Sequence, residues 1–531
     1  MRQTERPNFL LFITDQHRAD HLGCAGHPVL RTPHIDALAA RGCRFTDFHV
    51  ATPICQPNRA SLMTGRLPSA HGLQLNGREL SHGERTFVQM LRDAGYRTAL
   101  AGKSHLQNIT AVPPFWPRSG ERLASESRAL FPGDYGQEVA RRWDEDEAFE
   151  LRLPYYGFEQ VVLTIGHADE QSGHWRRWLR QQVPDADRLI GPDNAHPTPD
   201  WALTRLRQAW RTRVPEALYP TNYIAQQSGR MLRELAAQDQ PFFLQCSFPD
   251  PHHPFTPPGR YWDMYRPSDM ALPHSFDAPL TDAPPPVQWL HAQRSVRPPH
   301  FKPGHGSFAV TRQEAQEALA LNFGSISCID DAVGQVMSEL QGLGLAENTV
   351  VMFTSDHGDL LGERGLMFKG GLHCGGLTRV PFIWADPLLN VAKPVRQTSA
   401  LAQTTDIAAT VLARAGVPPA HGMQGQSLLP VMAGQTDALR NSVLIEEEGQ
   451  RLDFNMSQRI RMRSLRSKHH RLTIYDGQDW GELCDLRADP HELRNLWSDP
   501  DSQALRSQLL AELAYAMLNQ TNTSPYPLAS A

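Results

Sequence analysis

Cys55-Gln56-Pro57-Asn58-Arg59-Ala60-Ser61-Leu62-Met63-Thr64-Gly65 reads as a reactive residue set at the mouth of a short helix. Pro57 suits the first helical position, where its missing N–H costs nothing. Ala60 to Met63 favour helix, and Gly65 suits a left-handed stop. Cys55 then stands just ahead of the helix, where the dipole and the free N–H groups favour an anion. Arg59, four residues on, is spaced to reach back one turn toward it. The plainer reading is a buried cysteine beside a turn, the ordinary setting of a lone cysteine. The helix mouth and the arginine together suit a nucleophile attacking an anionic substrate.

Outward from this stretch, apolar runs alternate with helical patterns. Asn8–Thr14 is a short buried-type strand ending on Asp15-Gln16. In 32–42, Thr32 reads as a cap, Pro33 as the first helical residue and Gly42 as the stop. A helix near Thr86–Ala94 leads through Gly95 to a strand over Arg97–Ala101, which delivers Lys103 and His105. Residues 107–220 break the rhythm and read as a large insertion over the site, where specificity is built. Within them, Gly166-His167-Ala168-Asp169 and Gly173-His174-Trp175 suit substrate contacts and fold-stabilising loops equally. The rhythm returns with a helix over Tyr223–Ala237 and a strand over Phe242–Ser247, which ends on Pro249-Asp250-Pro251-His252-His253-Pro254. Residues 266–310, rich in proline and histidine, read as an extended loop. A long helix near 312–341 precedes the strand Thr349–Thr354, which ends on Ser355-Asp356-His357-Gly358-Asp359. Near 430 the alternation stops. The pattern predicts a doubly wound, mostly parallel α/β sheet over residues 1–430 and a smaller subdomain over 431–531. Four polar clusters follow four strand ends, where open α/β sheets place their ligand sites.

A chain of 531 residues suits one large domain plus a smaller one. Its 40% hydrophobic and 21% charged residues are ordinary for a soluble enzyme. A net charge of -5 gives no electrostatic case for nucleic acid or an acidic membrane. Seven cysteines, none in a Cys-x-x-Cys pair, suggest neither a disulfide framework nor a zinc knuckle. No signal peptide precedes the first strand and no apolar run reaches membrane-spanning length, so a cytoplasmic protein with reduced thiols is expected.

Cys-x-Pro-x-Arg followed by Leu-Met-Thr-Gly-Arg resembles the signature of the formylglycine-dependent sulfatases of the alkaline-phosphatase-like superfamily, in their arylsulfatase and phosphonate monoester hydrolase branch. The resemblance spans about 1–106 and 220–500. One position departs, Asn58 standing where the family usually has Ser or Ala. The resemblance implies that Cys55 is oxidised to formylglycine by a formylglycine-generating enzyme, and that the hydrated aldehyde attacks sulfur. Asp15, Gln16, Asp356 and His357 form an oxygen-rich set with one imidazole, matching hard divalent ions. These positions match the family's metal ligands, with residue 55 completing the set, and calcium or manganese is expected ahead of magnesium. Many relatives carry Asp-Asp and Asp-Asn where this chain has Asp15-Gln16 and Asp356-His357. Gly102-Lys103-Ser104-His105-Leu106 resembles the family's Gly-Lys-x-His-Leu, which implies that Lys103 binds a sulfate oxygen and His105 takes the proton that lets sulfate leave. Pro251-His252-His253-Pro254 and Lys369 match the family's leaving-group histidine and second lysine, with His253 structural. Asn76 falls near the spacing of a site asparagine in phosphonate-hydrolase relatives. Glu482–Leu486 and Asp489–Glu492 resemble the family's C-terminal pattern, a small antiparallel sheet with a closing helix.

Lys103, Lys369, Arg59 and a divalent metal against two aspartates leave a positive site. Sulfate monoesters, phosphonate monoesters and phosphodiesters each bring one negative charge on a similar tetrahedron, so cross-activity is expected. Three readings follow: a sulfatase for a small sulfate ester, a phosphonate monoester or phosphodiester hydrolase using the same nucleophile, and a catalytically silent binding protein on the same fold. The intact set Cys55, Arg59, Lys103, His105, His252, Asp356 and Lys369 argues against the third.

Overall fold

Asn8–Thr14 is the hub of the molecule. It pairs in parallel with Thr349–Ser355 on one side and Phe242–Ser247 on the other, and Arg97–Gly102 and Gln160–Ile165 continue the parallel run. Phe382–Ala385, antiparallel to Thr349–Ser355, then Cys43–Phe45 and Gln397–Thr398, which run in the common direction, extend one edge; antiparallel Ser172–Gly173 closes the other, giving nine strands. All residues of Asn8–Thr14 are buried. Phe9, Leu11 and Ile13 enter one hydrophobic cluster while Leu10 and Phe12 enter another. Side chains alternate across a strand, so both faces are covered, and that requires the unbroken apolar run seen in the sequence. Helices Cys55–Thr64, Phe87–Asp93 and Thr405–Ala415 cover the first face; Pro33–Arg41, Pro220–Ala236 and Arg312–Gly342 cover the second. This computed structural model describes residues 6–112, 128–198, 201–298, 301–304, 306–387, 389, 394–450, 454–456 and 458–530. Parts of the expected insertion and of the 266–310 segment fall outside these.

Several local expectations need correction. Helix Cys55–Thr64 begins at Cys55 itself, with Ile54 as its extended cap, two residues before Pro57. Gly65 does take the left-handed stop, φ 64°, with its N–H on the Ser61 carbonyl. Gly42 is extended, at φ -107°, and is required for a different reason: a Cβ there would lie 2.6 Å from the Trp384 carbonyl oxygen. The 107–220 segment supplies two strands of the central sheet, Gln160–Ile165 and Ser172–Gly173. The 266–310 segment contains an eleven-residue helix, Pro285–Ser295, opened by prolines at its first positions. Capping boxes at Thr86/Gln89 and Thr311/Glu314 start helices near the expected places.

The tail is a four-stranded antiparallel meander, Ser442–Glu448, Arg461–Ser467, His470–Tyr475 and Gly481–Asp485. Helix Gln503–Asn519 lays Leu509 and Leu513 onto Leu444, Leu465, Leu472 and Leu483. Each such leucine contributes about 2 kcal/mol by burial, and Leu513→Ala would cost about 2–5 kcal/mol. Ala51 and Leu67 of the larger layer join the same cluster, so the tail is packed onto that layer. All seven cysteines are free. No helix among the described residues is long and apolar enough to cross a membrane.

Candidate active site

The four polar clusters meet because their strands are neighbours. Thr349–Ser355, Asn8–Thr14, Phe242–Ser247 and Arg97–Gly102 are consecutive and parallel, so their carboxyl ends open on one edge. Asp15, Cys55, Asp356 and His357, all buried, each bring one ligand atom within 4.8 Å of the others. Asp15 Oδ1 is buried without a hydrogen-bond partner, whereas Oδ2 accepts from Lys103 Nζ at 2.5 Å. Asp356 Oδ2 accepts from Arg59 Nε at 2.7 Å. Asp15 Oδ1, with no well-formed hydrogen bond and 3.4 Å from His357 Nε2, lies beside a thiol, an imidazole and a second carboxylate, the donor chemistry of a hard divalent cation. Gln16, at φ 65°, gives its backbone N–H to Asp356 Oδ1 at 3.1 Å. Its side-chain oxygen accepts from Lys369 Nζ at 3.4 Å, and its amide nitrogen contacts Asp359 and lies 3.0 Å from His253 Nδ1.

At the helix mouth, Cys55 Sγ lies 2.9 Å from Lys369 Nζ and 3.1 Å from His357 Nε2. Arg59 engages Asp356, donates to Ser247 Oγ at 2.9 Å and approaches Asp15 Oδ2 to 3.6 Å. Its hydrogen bonds thus go to the strand ends and not back along the helix to Cys55. Asn58, the departure from the signature, is buried and productive: it accepts from the Ala51 N–H at 3.0 Å and donates to the Asp356 carbonyl at 2.5 Å. That side chain ties helix Cys55–Thr64 to the strand end carrying Asp356. Asn76 accepts from the Gln56 N–H at 3.2 Å, capping the helix mouth, and lines the cavity.

Lys103 and His105 leave the sheet after Gly102, whose φ is 110° and where a Cβ would lie 1.9 Å from the Ser247 carbonyl oxygen. His105 sits at φ 60°, so the pair reaches the site through a turn, not along an extended segment. The Glu138 carboxylate holds this turn by accepting from the N–H groups of His105, Leu106 and Gln107 at 2.7, 2.8 and 3.0 Å. His252 Nε2 lies 3.1 Å from Lys369 Nζ. His253 stacks on Phe368 with ring centroids 3.4 Å apart, and its Nδ1 lies 3.0 Å from Gln16 Nε2. Asp359 accepts from the Leu361 and Phe368 N–H groups at 3.0 and 2.9 Å, holding the loop that carries Lys369. Neither Asp359 nor Glu138 acquires a role from sequence reasoning. The spacing Asp356-x-x-Asp359 was the available signal for the first, and nothing local signalled the second.

Electrostatics follow from this crowding. Burial pushes the Asp15 carboxyl up, but Lys103 and His252 more than offset it, leaving Asp15 well below the usual carboxylate range. For Cys55, burial and Asp15 oppose the thiolate while Lys369 and His357 favour it, and the thiol ends below its ordinary value. Burial and Lys369 oppose a charged His357; Asp356, Cys55 and Asp15 prevail and raise it to about 10. His252 and His105 lie well below the ordinary imidazole value, chiefly through burial and then through His167 and Lys103 respectively. The site opens on a cavity of about 1800 Å³ whose walls include Cys55, Asn76, His105, His167, His252 and Lys369, together with Trp289, Phe301, Phe308 and Phe454.

A parallel α/β sheet that gathers a thiol at a helix mouth, two carboxylates and two lysines at its strand ends is the framework of the alkaline-phosphatase-like hydrolases of tetrahedral anionic esters. A family model described as Sulfatase matches residues 7–417, and the chain belongs to the sulfatase family of sulfuric ester hydrolases. A second model, N-sulphoglucosamine sulphohydrolase, C-terminal, matches residues 362–519. The chain is 27% identical to the choline-sulfatase of Rhizobium meliloti (strain 1021), covering 96% of this chain and 86% of that protein. It is 27% identical to the arylsulfatase of Clostridium perfringens (strain 13 / Type A), covering 96% and 94%. Among solved structures, the phosphonate monoester hydrolase of Agrobacterium radiobacter is similar at a TM-score of 0.77 and 25% identity, over 98% of this chain and 97% of that one.

Proposed function

We propose that this enzyme hydrolyses a sulfate monoester with an oxygen nucleophile supplied by residue 55 after its oxidation to formylglycine, in the presence of one divalent cation. The observation that carries this reading is the convergence of Asp15, Cys55, Asp356 and His357 within 4.8 Å, on the wall of a cavity also lined by Lys369 and His252. Those four residues, with the Gln16 side chain beside them, would hold the cation; calcium or manganese suits the mixed oxygen and imidazole set. When bound, such an ion supplies Lewis acidity to an ester oxygen and lowers the pKa of a neighbouring hydroxyl. Arg59 holds the Asp356 carboxylate in place. Lys103 places a positive charge against the sulfate oxygens, next to Asp15. Lys369 and His252, 3.1 Å apart, face the bridging oxygen, where Lys369 stabilises the developing alkoxide and His252 positions or delivers a proton. His105, kept neutral by burial and by Lys103, accepts the proton whose removal frees sulfate. Asn76 contacts substrate at the helix mouth. Oxidation of Cys55 requires a formylglycine-generating enzyme, and seven unpaired cysteines suit a reducing, cytoplasmic setting. The division into a catalytic part, 1–430, and a C-terminal subdomain, 431–531, fits the point where parallel strands give way to the meander.

A phosphonate monoester or phosphodiester substrate is the second reading, favoured by the phosphonate hydrolase likeness. Metal-loaded, fully modified enzyme is assayed on an aryl sulfate, an aryl phosphonate monoester and an aryl phosphodiester with one shared leaving group. The sulfate is expected to give the highest kcat/KM; a phosphonate preference overturns the first reading.

A further inference from the structure

We propose that His167 is a positioning residue of this site, joining the lysine of the attack side to the histidine of the leaving-group side. It follows the fifth of the consecutive parallel strands, Gln160–Ile165, whose carboxyl end opens on the same edge as the other four. Its Nε2 is 2.7 Å from Lys103 Nζ and 3.5 Å from Asp15 Oδ2. Its ring stacks on His252, with centroids 3.8 Å apart and planes at 16°. His252 Nε2 in turn lies 3.1 Å from Lys369 Nζ. Lys103, His167, His252 and Lys369 therefore form a row, the last three on the cavity wall, with two imidazoles stacked between two ammonium groups. The 2.7 Å contact between Lys103 Nζ and His167 Nε2 fixes where the ammonium points. The stack fixes the plane of the His252 ring, and so the direction in which its Nε2 faces.

The loop behind His167 is built to hold that pose. Gly166 sits at φ 97° and Ala168, fully buried, at φ 55°, a left-handed conformation that an alanine keeps only where its surroundings impose it. The Asp169 carboxylate imposes it, accepting from Trp210 Nε1 at 3.0 Å, Thr212 Oγ1 at 2.5 Å and the Gly191 N–H at 3.2 Å. Gln171 Nε2 donates to the Ala168 carbonyl at 2.9 Å. A rigid, strained loop that aims one partly exposed histidine into a cavity is a support for a functional side chain.

This rests on the hydrolase reading, with His252 serving the leaving group. Two substitutions separate the two contacts of His167. His167→Gln keeps an acceptor for Lys103 and loses the stack; His167→Phe keeps the stack and loses the acceptor. Both are purified metal-loaded and modified, then assayed on aryl and alkyl sulfate esters spanning a range of leaving-group pKa. His167→Gln should lose at least about tenfold more kcat on the poorest leaving group than on the best, as expected where leaving-group protonation is impaired. His167→Phe should lose kcat/KM evenly across the series, with KM raised. An equal loss in both variants at every leaving group, or no loss in either, overturns the proposal. The same series of phosphonate aryl esters is run in parallel. A parent enzyme that prefers phosphonates refutes the sulfate reading, while the contrast between the two variants across leaving groups still decides the role of His167.

Discussion

One cluster of buried charge lies at the ends of the parallel strands and another in the C-terminal meander. In the meander, Arg471 donates from Nε to Glu492 at 2.7 Å, from Nη1 to Thr473 at 2.9 Å and from Nη2 to Glu482 at 3.0 Å. Tyr475 closes the group by donating to the other Glu482 oxygen at 2.7 Å. At the strand ends, Asp15 Oδ1, Arg59 Nη2 and His105 Nδ1 are equally buried and have no hydrogen-bond partner. Burial of charge alone therefore does not mark function. A cluster that closes on itself fixes the register of its strands; one that leaves polar atoms unmatched beside a cavity is arranged for a guest.

The open cluster is broken most severely at residue 55. Cys55→Ala should lower turnover of an aryl sulfate by on the order of a millionfold, with the urea midpoint nearly unchanged. Mass spectrometry of the peptide from active parent enzyme should show residue 55 oxidised; unmodified cysteine in fully active protein would refute the nucleophile. Asp356→Ala comes next. It should remove stoichiometric divalent metal, read by elemental analysis, and leave the Arg59 guanidinium buried without its carboxylate, a loss of about 3–5 kcal/mol. Full metal content in that variant would return Asp356 to a purely structural place.

His105→Ala should lower steady-state kcat by about 10²–10⁴ while sparing the first step. One equivalent of leaving group would then appear in a burst before slow turnover. A burst in His252→Ala and not in His105→Ala would exchange the two roles. Lys103→Met should raise KM, and, because Lys103 also neutralises Asp15, lower kcat as well.

The closed cluster should respond oppositely. Arg471→Met should cost about 3–5 kcal/mol of stability and leave kcat/KM of the folded enzyme unchanged at low temperature. Loss of activity with retained stability would show the meander to be part of the active machinery. The smallest effect is on pH. Burial raises Glu482 and Glu492, but Arg471 more than offsets this, and both lie below the ordinary 4.5. A depressed carboxyl stabilises the fold above its unfolded value and loses that contribution as pH falls through the folded one. Thermal unfolding of the parent should therefore shift to lower temperature as pH drops below about 4.5, and less steeply in Arg471→Met.

Much of this was legible in the chain itself. The largely apolar runs 8–14, 242–247 and 349–354 specify strands buried on both faces, and the polar residues directly after them mark a ligand edge. The Cys55–Gly65 string carried the family signature, and its glycine carried the helix stop. These are properties of spacing over a few residues, where propensity and periodicity act. What only the tertiary structure decided was who meets whom. Lys369 and Cys55 stand 314 positions apart and lie 2.9 Å from each other. Arg59 proved a partner of Asp356 and Ser247, and Asn58 a tie to the Asp356 carbonyl. His167 comes from a segment whose sequence breaks the strand–helix rhythm, yet that segment adds a fifth parallel strand. Strand order sets these meetings, and it emerges from the packing of both sheet faces at once, beyond the reach of any local window of sequence.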